Sequence, residues 1–299
     1  MTTPLSVACV HVSSALGGSE RVLLDFAARA ARHDIAPHVL LPKPGPLVDL
    51  LRAEGVPVSV APATAEFLGL SQRRGLSPAQ LARFGLGLWK WSRAIEADLE
   101  RLAREPGGRP AVLYSNGFRA HARCALLLRY RHVWHLHEFP PAGLGTVWKA
   151  AAMLPTAVIA NSRAVARAWT GLVGPTPVVV ANGVDLTRFA PSPRTYWIHD
   201  QLDLPHDARL IGMPAVFARW KGHLQVVEAF ERAAARLEDV HLVLVGGPIY
   251  DTVAERGYAE ELVRRVGRSS LGGPPRAPSL TDRIHFLRFQ SEPWRLYPE

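Results

Sequence analysis

The 299-residue chain has little cysteine and no long apolar segment, and each absence excludes a class of protein. Cys9 and Cys124 lie too far apart for a CxxC redox pair, and two cysteines cannot supply the four ligands of a structural zinc site. No apolar run reaches the roughly 18 residues that span a bilayer. The apolar N-terminus has no basic segment ahead of it, unlike a secretory signal peptide. We therefore expect a cytoplasmic protein in a reducing compartment.

The chain also lacks the short motifs of several enzyme classes. It has no Asp-x-Asp pair that would hold Mg²⁺, no GxSxG nucleophile elbow and no evident Cys/His nucleophile arrangement. Its 24 glycines and 25 prolines show no period, which excludes a collagen-like fibre. Any catalysis is therefore expected to be electrostatic and to need neither a metal nor a cofactor.

Charge is the next clue, because the chain carries a formal net charge of +9 and most of the excess lies in residues 1–150. Nearly all of the cations are arginine, whose planar fork suits phosphate, so an anionic partner fits. A genome rich in arginine codons would give the same bias. No helix-turn-helix, RNA-recognition or zinc-finger pattern accompanies the charge, so we expect no nucleic-acid partner.

Short apolar runs alternate with amphipathic helical patterns, which predicts an α/β protein with parallel sheets covered on both faces. A Pro/Ser-rich linker at 191–194 separates two Rossmann-like, doubly wound domains, 1–190 and 191–299. The second has only about 100 residues, so we expect it to be incomplete. The predicted strands are 5–12, 37–41, 56–61, 111–115, 133–137, 157–160, 178–181, 208–213, 240–245 and 283–287. The predicted helices are 19–32, 46–54, 79–104, 119–129, 146–153, 163–170, 221–236 and 253–266, with a loop at 269–278.

The first glycine loop is one candidate site. Gly17 and Gly18 follow a strand and open a helix, where free N–H groups and the helix dipole favour an anion. The motif is neither GxGxxG nor a Walker loop. The alternative is that Ser19 is simply the N-cap residue of the helix.

A second candidate is the histidine-rich strand with His132, His135, His137 and Glu138. Alternation along the strand puts His135 and His137 on one face and Glu138 on the other. Zinc binding is the weaker reading, because the spacing is not HExxH and no fourth ligand is near. His137 lies at the carboxyl end of the strand, where doubly wound folds bind ligands, so we expect it in a site.

Two further candidates lie in the second domain. Arg219 and Lys221 follow its first strand and begin a helix, so they would hold a diphosphate, although a solvated basic turn fits the spacing as well. Gly246 and Gly247 lie at the end of the next strand, where the backbone is accessible because glycine has no side chain.

A basic, aromatic stretch at 73–93 could rest on an anionic membrane surface or hold a polyanionic acceptor, and a solvated amphipathic helix is the alternative. Its cations are Arg73, Arg74, Arg83, Lys90 and Arg93, interleaved with Phe84, Trp89 and Trp91.

The order of these motifs resembles the nucleotide-sugar-dependent glycosyltransferases of family 4, which have the GT-B arrangement of two Rossmann-like domains. The motifs that carry the resemblance are Leu16-Gly17-Gly18-Ser19-Glu20, Leu136-His137-Glu138, Val158-Ile159-Ala160-Asn161-Ser162, Val180-Ala181-Asn182-Gly183-Val184-Asp185, and Arg219-Trp220-Lys221-Gly222 followed by Val243-Leu244-Val245-Gly246-Gly247.

The resemblance implies a retaining glycosyltransferase that moves a sugar from a nucleoside-diphosphate sugar to a hydroxyl of a glycan or a lipid-linked acceptor. It would be cytoplasmic and peripheral at the inner membrane face, and it would need no metal. The implied catalytic residues are His137, Arg219 and Lys221, the donor-binding backbone is Gly17, Gly18, Gly246 and Gly247, and further cleft residues are Glu138, Asn161 and Asn182.

Two departures from the family pattern matter. Where many members place an Arg directly after the strand, this chain reads Pro214-Ala215-Val216-Phe217-Ala218, so either Arg219 substitutes or the role is vacant. The family's acidic motif, two glutamates with seven residues between them that grip the donor, is absent from these 299 residues. We therefore expect a truncated chain that is inactive as it stands, and the alternative is a non-catalytic partner subunit of a glycosyltransferase complex.

Overall fold

The computed structural model describes residues 3–62, 78–104, 108, 110–125, 127–141, 146–234, 236–237, 239–247, 257–267 and 280–299. The chain divides into two compact units, Met1–Gly183 and Val184–Glu299. The sequence-based boundary after residue 190 stays a prediction, a few residues beyond this division.

Unit 1 is built on a seven-stranded parallel sheet with the strand order β3-β2-β1-β4-β5-β6-β7. The order reverses between β1 and β4, which makes that point the topological switch of the sheet. The strands are β1 (Leu5–His11), β2 (Ile35–Leu41), β3 (Val58–Val60), β4 (Val112–Asn116), β5 (Arg131–Leu136), β6 (Ala157–Ala160) and β7 (Val178–Val179). The helices are α1 (Gly18–Arg29), α2 (Pro46–Ala53), α3 (Pro78–Leu102), α4 (Phe118–Cys124), α5 (Thr146–Ala151) and α6 (Arg163–Trp169).

Both faces of this sheet are covered, and the burial of its central strands follows from that. Cys9 and Val10 of β1 are fully buried although they point to opposite faces. One face packs against Leu23 of α1 and the α2 helix, and the other packs against Trp91 and Ile95 of α3. This arrangement explains why the strands read as continuous apolar runs.

Unit 2 contains a three-stranded parallel sheet with the order β10-β9-β8 in its described part. Its strands are β8 (Arg209–Pro214), β9 (Val240–Gly246) and β10 (Ile284–Arg288), and its helices are α7 (Trp197–Leu202), α8 (His223–Ala234) and α9 (Tyr258–Gly267). The α8 and α9 helices bury Phe230 and Leu262 against one face of the sheet, while Ile198 of α7 packs on the other. The sequence prediction of an α/β chain with two parallel sheets is confirmed.

The differences from the predicted elements are local. The prediction missed α7, and it extended α4 and α5 beyond their observed ends. A 3-10 turn at Arg219–Lys221 replaces the predicted first turn of α8. The predicted loop at 269–278 and the first residues of the helix predicted at 253–266 lie outside the described residues. None of the described helices is long and apolar enough to cross a membrane.

Candidate functional site

Polar side chains gather where the central strands of unit 1 end. His11 and Asn116 are the last residues of β1 and β4 and lie side by side in the sheet, while His137 directly follows β5 and Asn161 directly follows β6. Carboxyl ends of parallel strands meet at one edge, and ligands of doubly wound sheets bind there. We call these four residues the edge cluster.

Asn116, which is fully buried, connects two other members of the edge cluster, His11 and His137. Its backbone oxygen accepts a hydrogen bond from His11 Nδ1. Its side-chain Nδ2 donates to the backbone oxygen of Ser19 over 3.0 Å, so its Oδ1 is left to accept from His137 Nε2 at 2.5 Å. This arrangement puts the hydrogen of the His137 ring on Nε2 and leaves Nδ1 as an acceptor.

Burial keeps His135 and His137 neutral. Desolvation, together with the nearby rings of His135 and His11, lowers the pKa of His137 to about 3. Desolvation also lowers the pKa of His135 to about 4, and the Tyr114 hydroxyl, whose pKa is raised by burial, hydrogen-bonds to its Nδ1. The centroids of the two histidine rings are 4.1 Å apart, so both rings lie on the same side of the chain. Near pH 7 the rings of His135 and His137 are therefore uncharged, and each has one nitrogen that can donate a hydrogen bond and one that can accept one.

A buried contact between a carboxylate and a histidine lies beneath the edge cluster. Glu20, on the first turn of α1, is only 2% exposed and its Oε1 lies 3.3 Å from His11 Nε2. Burial alone would raise the pKa of Glu20, but its interactions with His11 and Ser13 outweigh burial and lower the pKa to about 2. Ser19 Oγ donates to the other carboxylate oxygen over 3.0 Å. Glu20 therefore fixes His11, and through it the backbone of Asn116.

The glycine loop begins α1 without a capping side chain. Gly17 is the N-cap residue, and no side chain caps the helix there. A Cβ at Gly18 would meet no atom within 4 Å, so the space in front of this turn is open. Uncapped N–H groups and the helix dipole together favour an anion. Ser19 lies inside the helix, so its alternative reading as the N-cap is wrong.

The other residues predicted for unit 1 differ in their surroundings. The amide of Asn161 donates to the backbone oxygen of His137 over 3.4 Å, while its Oδ1 is buried without a hydrogen-bond partner. Glu138 accepts from the backbone N–H of Phe118 at the start of α4, which gives it a structural role. Asn182 is exposed in the segment after β7. The described residues include no group of three or more His, Cys, Asp or Glu that could hold a metal ion.

In unit 2, Arg219 and Lys221 lie on the 3-10 turn after β8, and both are exposed. Arg219 forms a two-pronged ion pair with Glu261 of α9, and its guanidinium lies 4.9 Å from the ring centroid of Tyr258. The Nζ atom of Lys221 lies 4.1 Å from the ring centroid of Trp220, and partial burial lowers the pKa of this lysine. The charge of Arg219 is thus compensated, and Lys221 is the more available of the two cations.

Gly246, at the end of β9, is required by a close approach of two backbones. A Cβ there would lie 2.0 Å from the backbone oxygen of Ala215 and 3.0 Å from Phe217 Cε1. The next residue, Gly247, accepts a hydrogen bond from the backbone N–H of Phe217 over 3.1 Å. Both glycines hold the segment after β8 in place beside the turn that carries Lys221.

Comparison with known families decides the identity of the chain. The model of Glycosyltransferase Family 4 matches residues 16–188, which is more than half of the chain and includes most of unit 1. The chain belongs to Glycosyltransferase Family 4. No curated protein sequence matches it.

Solved structures show the fold of this Glycosyltransferase Family 4 chain. Anabaena HepE, in a structure that holds UDP-glucose, is 21% identical with a TM-score of 0.72, and the match covers 97% of this chain and 71% of HepE. The sucrose-phosphate synthase of Thermosynechococcus elongatus is 18% identical with a TM-score of 0.66, covering 98% and 73%. The UDP-forming trehalose-phosphate synthase of Burkholderia vietnamiensis is 14% identical with a TM-score of 0.69, covering 99% and 76%. The predicted GT-B-like fold is confirmed.

Sequence reasoning about this family 4 chain missed three residues of the site. Glu20 was noted only as part of a motif, while His11 and Asn116 were not singled out at all. The two residues are 105 positions apart, and their contact exists only because β1 pairs with β4. Their one local signal was a polar side chain within one residue of the end of a predicted strand.

Proposed function

We propose that this chain transfers a sugar from a nucleoside-diphosphate sugar, of the UDP-hexose class, to a hydroxyl group of a glycan or lipid-linked acceptor. Family membership supports the reaction class. HepE holds UDP-glucose, and the related trehalose-phosphate synthase is described as UDP-forming, which favours uridine in the donor.

The observation that carries the proposal is the tautomer of His137. Its Nε2 hydrogen is committed to Asn116, so a neutral ring offers Nδ1 as an acceptor at the carboxyl edge of the sheet. A neutral acceptor suits a sugar hydroxyl and does not suit a phosphate. The uncapped first turn of α1 at Gly17 and Gly18 supplies the complementary feature, because it attracts an anion.

We assign the diphosphate chiefly to Lys221. In the proposed retaining reaction, the acceptor oxygen bonds to the anomeric carbon on the face from which the diphosphate departs. The bond from that carbon to the phosphate oxygen breaks, and the acceptor proton passes to the departing phosphate. Lys221 would stabilise the charge that develops on the leaving group, without a metal. Arg219 could contribute to this stabilisation only if its guanidinium left Glu261 and bound the phosphate instead.

Two variants test these assignments by calorimetry with UDP and UDP-glucose. Lys221→Ala removes a charge-assisted contact to the diphosphate, so both ligands should bind about 10- to 100-fold more weakly. His137→Ala should weaken the binding of UDP-glucose by about fivefold or more. The binding of UDP should not change, because UDP lacks the transferred sugar that His137 is proposed to contact. Lys149→Ala, at an exposed lysine of α5, is the matched control.

The outcomes separate the candidate functions. Binding of UDP-glucose and release of UDP in the presence of a hydroxyl acceptor would support the enzyme. Binding without turnover would favour a non-catalytic partner subunit. No binding of any nucleoside diphosphate would contradict both proposals. For a lipid-linked acceptor we place the reaction in the cytoplasm at the inner membrane face.

A further inference from the structure

We propose that one face of helix α3 docks on an anionic lipid surface. This basic face consists of Arg83, Leu86, Trp89, Lys90 and Arg93, all of which are exposed. At 100° per residue these five positions fall within about a third of the helix circumference. They therefore form one continuous strip along the middle of the helix.

The core fixes the orientation of this strip. Trp91, Ile95 and Leu99 are fully buried on the opposite side of α3 and pack against the seven-stranded sheet. The indole N–H of Trp91 donates to the backbone oxygen of Ala61 over 3.0 Å. Trp91 therefore belongs to the core and not to the docking face, contrary to its grouping with the basic stretch in the sequence. Residues 73–77 and the side chain of Phe84 lie outside the described part of the chain.

The charge of the strip is entirely positive. Residues 78–95 contain no Asp or Glu, and the acidic residues begin at Glu96. Glu96 contacts two cations, Arg93 at 3.3 Å and Arg129 at 3.7 Å. A surface of cations without interspersed acids attracts anionic headgroups.

The apolar members of the strip favour a lipid over a soluble polyanion. Trp89 is 59% exposed and Leu86 is 52% exposed, and both lie among the three cations. Indole and leucine side chains gain by entering the boundary between headgroups and acyl chains, whereas a hydrated polyanion offers them nothing comparable. Cations beside an apolar strip are the signature of a helix that lies in the plane of a membrane surface.

Vesicle co-sedimentation tests the proposal with the full chain and without any sugar donor, so its result is independent of the proposed glycosyl transfer. At 0.15 M salt, the protein should bind vesicles of 70% phosphatidylcholine and 30% phosphatidylglycerol at least tenfold more tightly than pure phosphatidylcholine. Each cation near an anionic surface adds roughly fivefold, so Arg83→Gln with Lys90→Gln should weaken binding by about 30-fold. Trp89→Ser should weaken it as well, with the thermal transition unchanged because this side chain is exposed.

The matched control is Arg232→Gln with Arg236→Gln, which removes two exposed cations from unit 2. This control should bind the anionic vesicles within twofold of wild type. Equal binding to both kinds of vesicle, or equal losses in the control and the α3 variant, would overturn the proposal. So would binding to inorganic polyphosphate that depends on Arg83 and Lys90 without any binding to the vesicles, because that result would identify a polyanion site.

Discussion

Replacing Glu20 by Gln tests the contribution of the buried Glu20 carboxylate beneath the edge cluster. The substitution preserves the size of the side chain and removes its charge, so His11 loses its contact with a carboxylate while packing is retained. The folded chain lowers the pKa of Glu20 from its ordinary 4.5 to about 2. Because one pKa unit corresponds to about 1.4 kcal/mol, ionised Glu20 contributes about 3 kcal/mol to folding near pH 7. The loss of one partner from a buried pair has a similar cost, about 3–5 kcal/mol.

The pH dependence of this contribution has a definite sign. A carboxyl whose pKa is lowered by folding stabilises the protein above the pKa of the unfolded chain, and the contribution disappears as the pH falls from 4.5 towards 2. The difference in unfolding free energy between wild type and Glu20→Gln should therefore be about 3 kcal/mol at pH 7. It should narrow below pH 4.5, and by pH 3 about half of it should be gone.

Urea unfolding followed by circular dichroism measures this difference. Glu54→Gln, at an exposed glutamate just after α2, is the matched control and should change the unfolding free energy by less than about 0.5 kcal/mol. If Glu20→Gln were as mild as this control at pH 7, the ionised carboxylate of Glu20 would not stabilise the fold. A large but pH-independent loss would also refute the reasoning, because it would point to packing instead of charge.

The pKa values of His135 and His137, about 4 and about 3, predict acid sensitivity, because the unfolded chain takes up protons below pH 6.5 that the folded chain does not. Each of these two histidines should lower the free energy of unfolding by about 1.4 kcal/mol at pH 5.5 relative to pH 7.5. Equal midpoints of urea unfolding at the two pH values would contradict this prediction. Gly246→Ala places a methyl group 2.0 Å from the backbone oxygen of Ala215, so unit 2 should lose about 2 kcal/mol or more, measured as a lower thermal midpoint. Burial raises the pKa of Cys9 to about 12, so this thiol should react with Ellman's reagent only after denaturation.

The sequence predicted the strands of unit 1 well because each central strand is buried on both faces and reads as a continuous apolar run. It missed α7, a six-residue helix flanked by Tyr196 and Asp203, both in the left-handed backbone conformation. Neither residue supplies a side-chain cap at the start of this helix. Without the cap or glycine signals that mark helix ends, so short a segment has no local signature.

The candidate site was predictable only where the signal is local. Gly17 and Gly18 stand between a strand and a helix, and His137 stands at a strand end, so the pattern pointed to each of them. The role of Asn116 depends on which strands pair and in which register, and both are settled by packing across more than 100 residues. Gly246 read as a simple turn, whereas its role is a backbone contact with a segment 31 residues earlier.

Each unit, taken by itself, offers a different chemistry for the proposed donor. His137 is neutral near pH 7, so the imidazole adds no charge for a diphosphate, and the α1 N-terminus is left as the anion-attracting feature at Gly17 and Gly18. In unit 2 the exposed turn after β8 carries full positive charge, and Glu261 compensates Arg219 but leaves Lys221 available. Discrimination between sugars should therefore follow changes at His137, whereas affinity for the diphosphate and its dependence on salt should follow changes at Lys221.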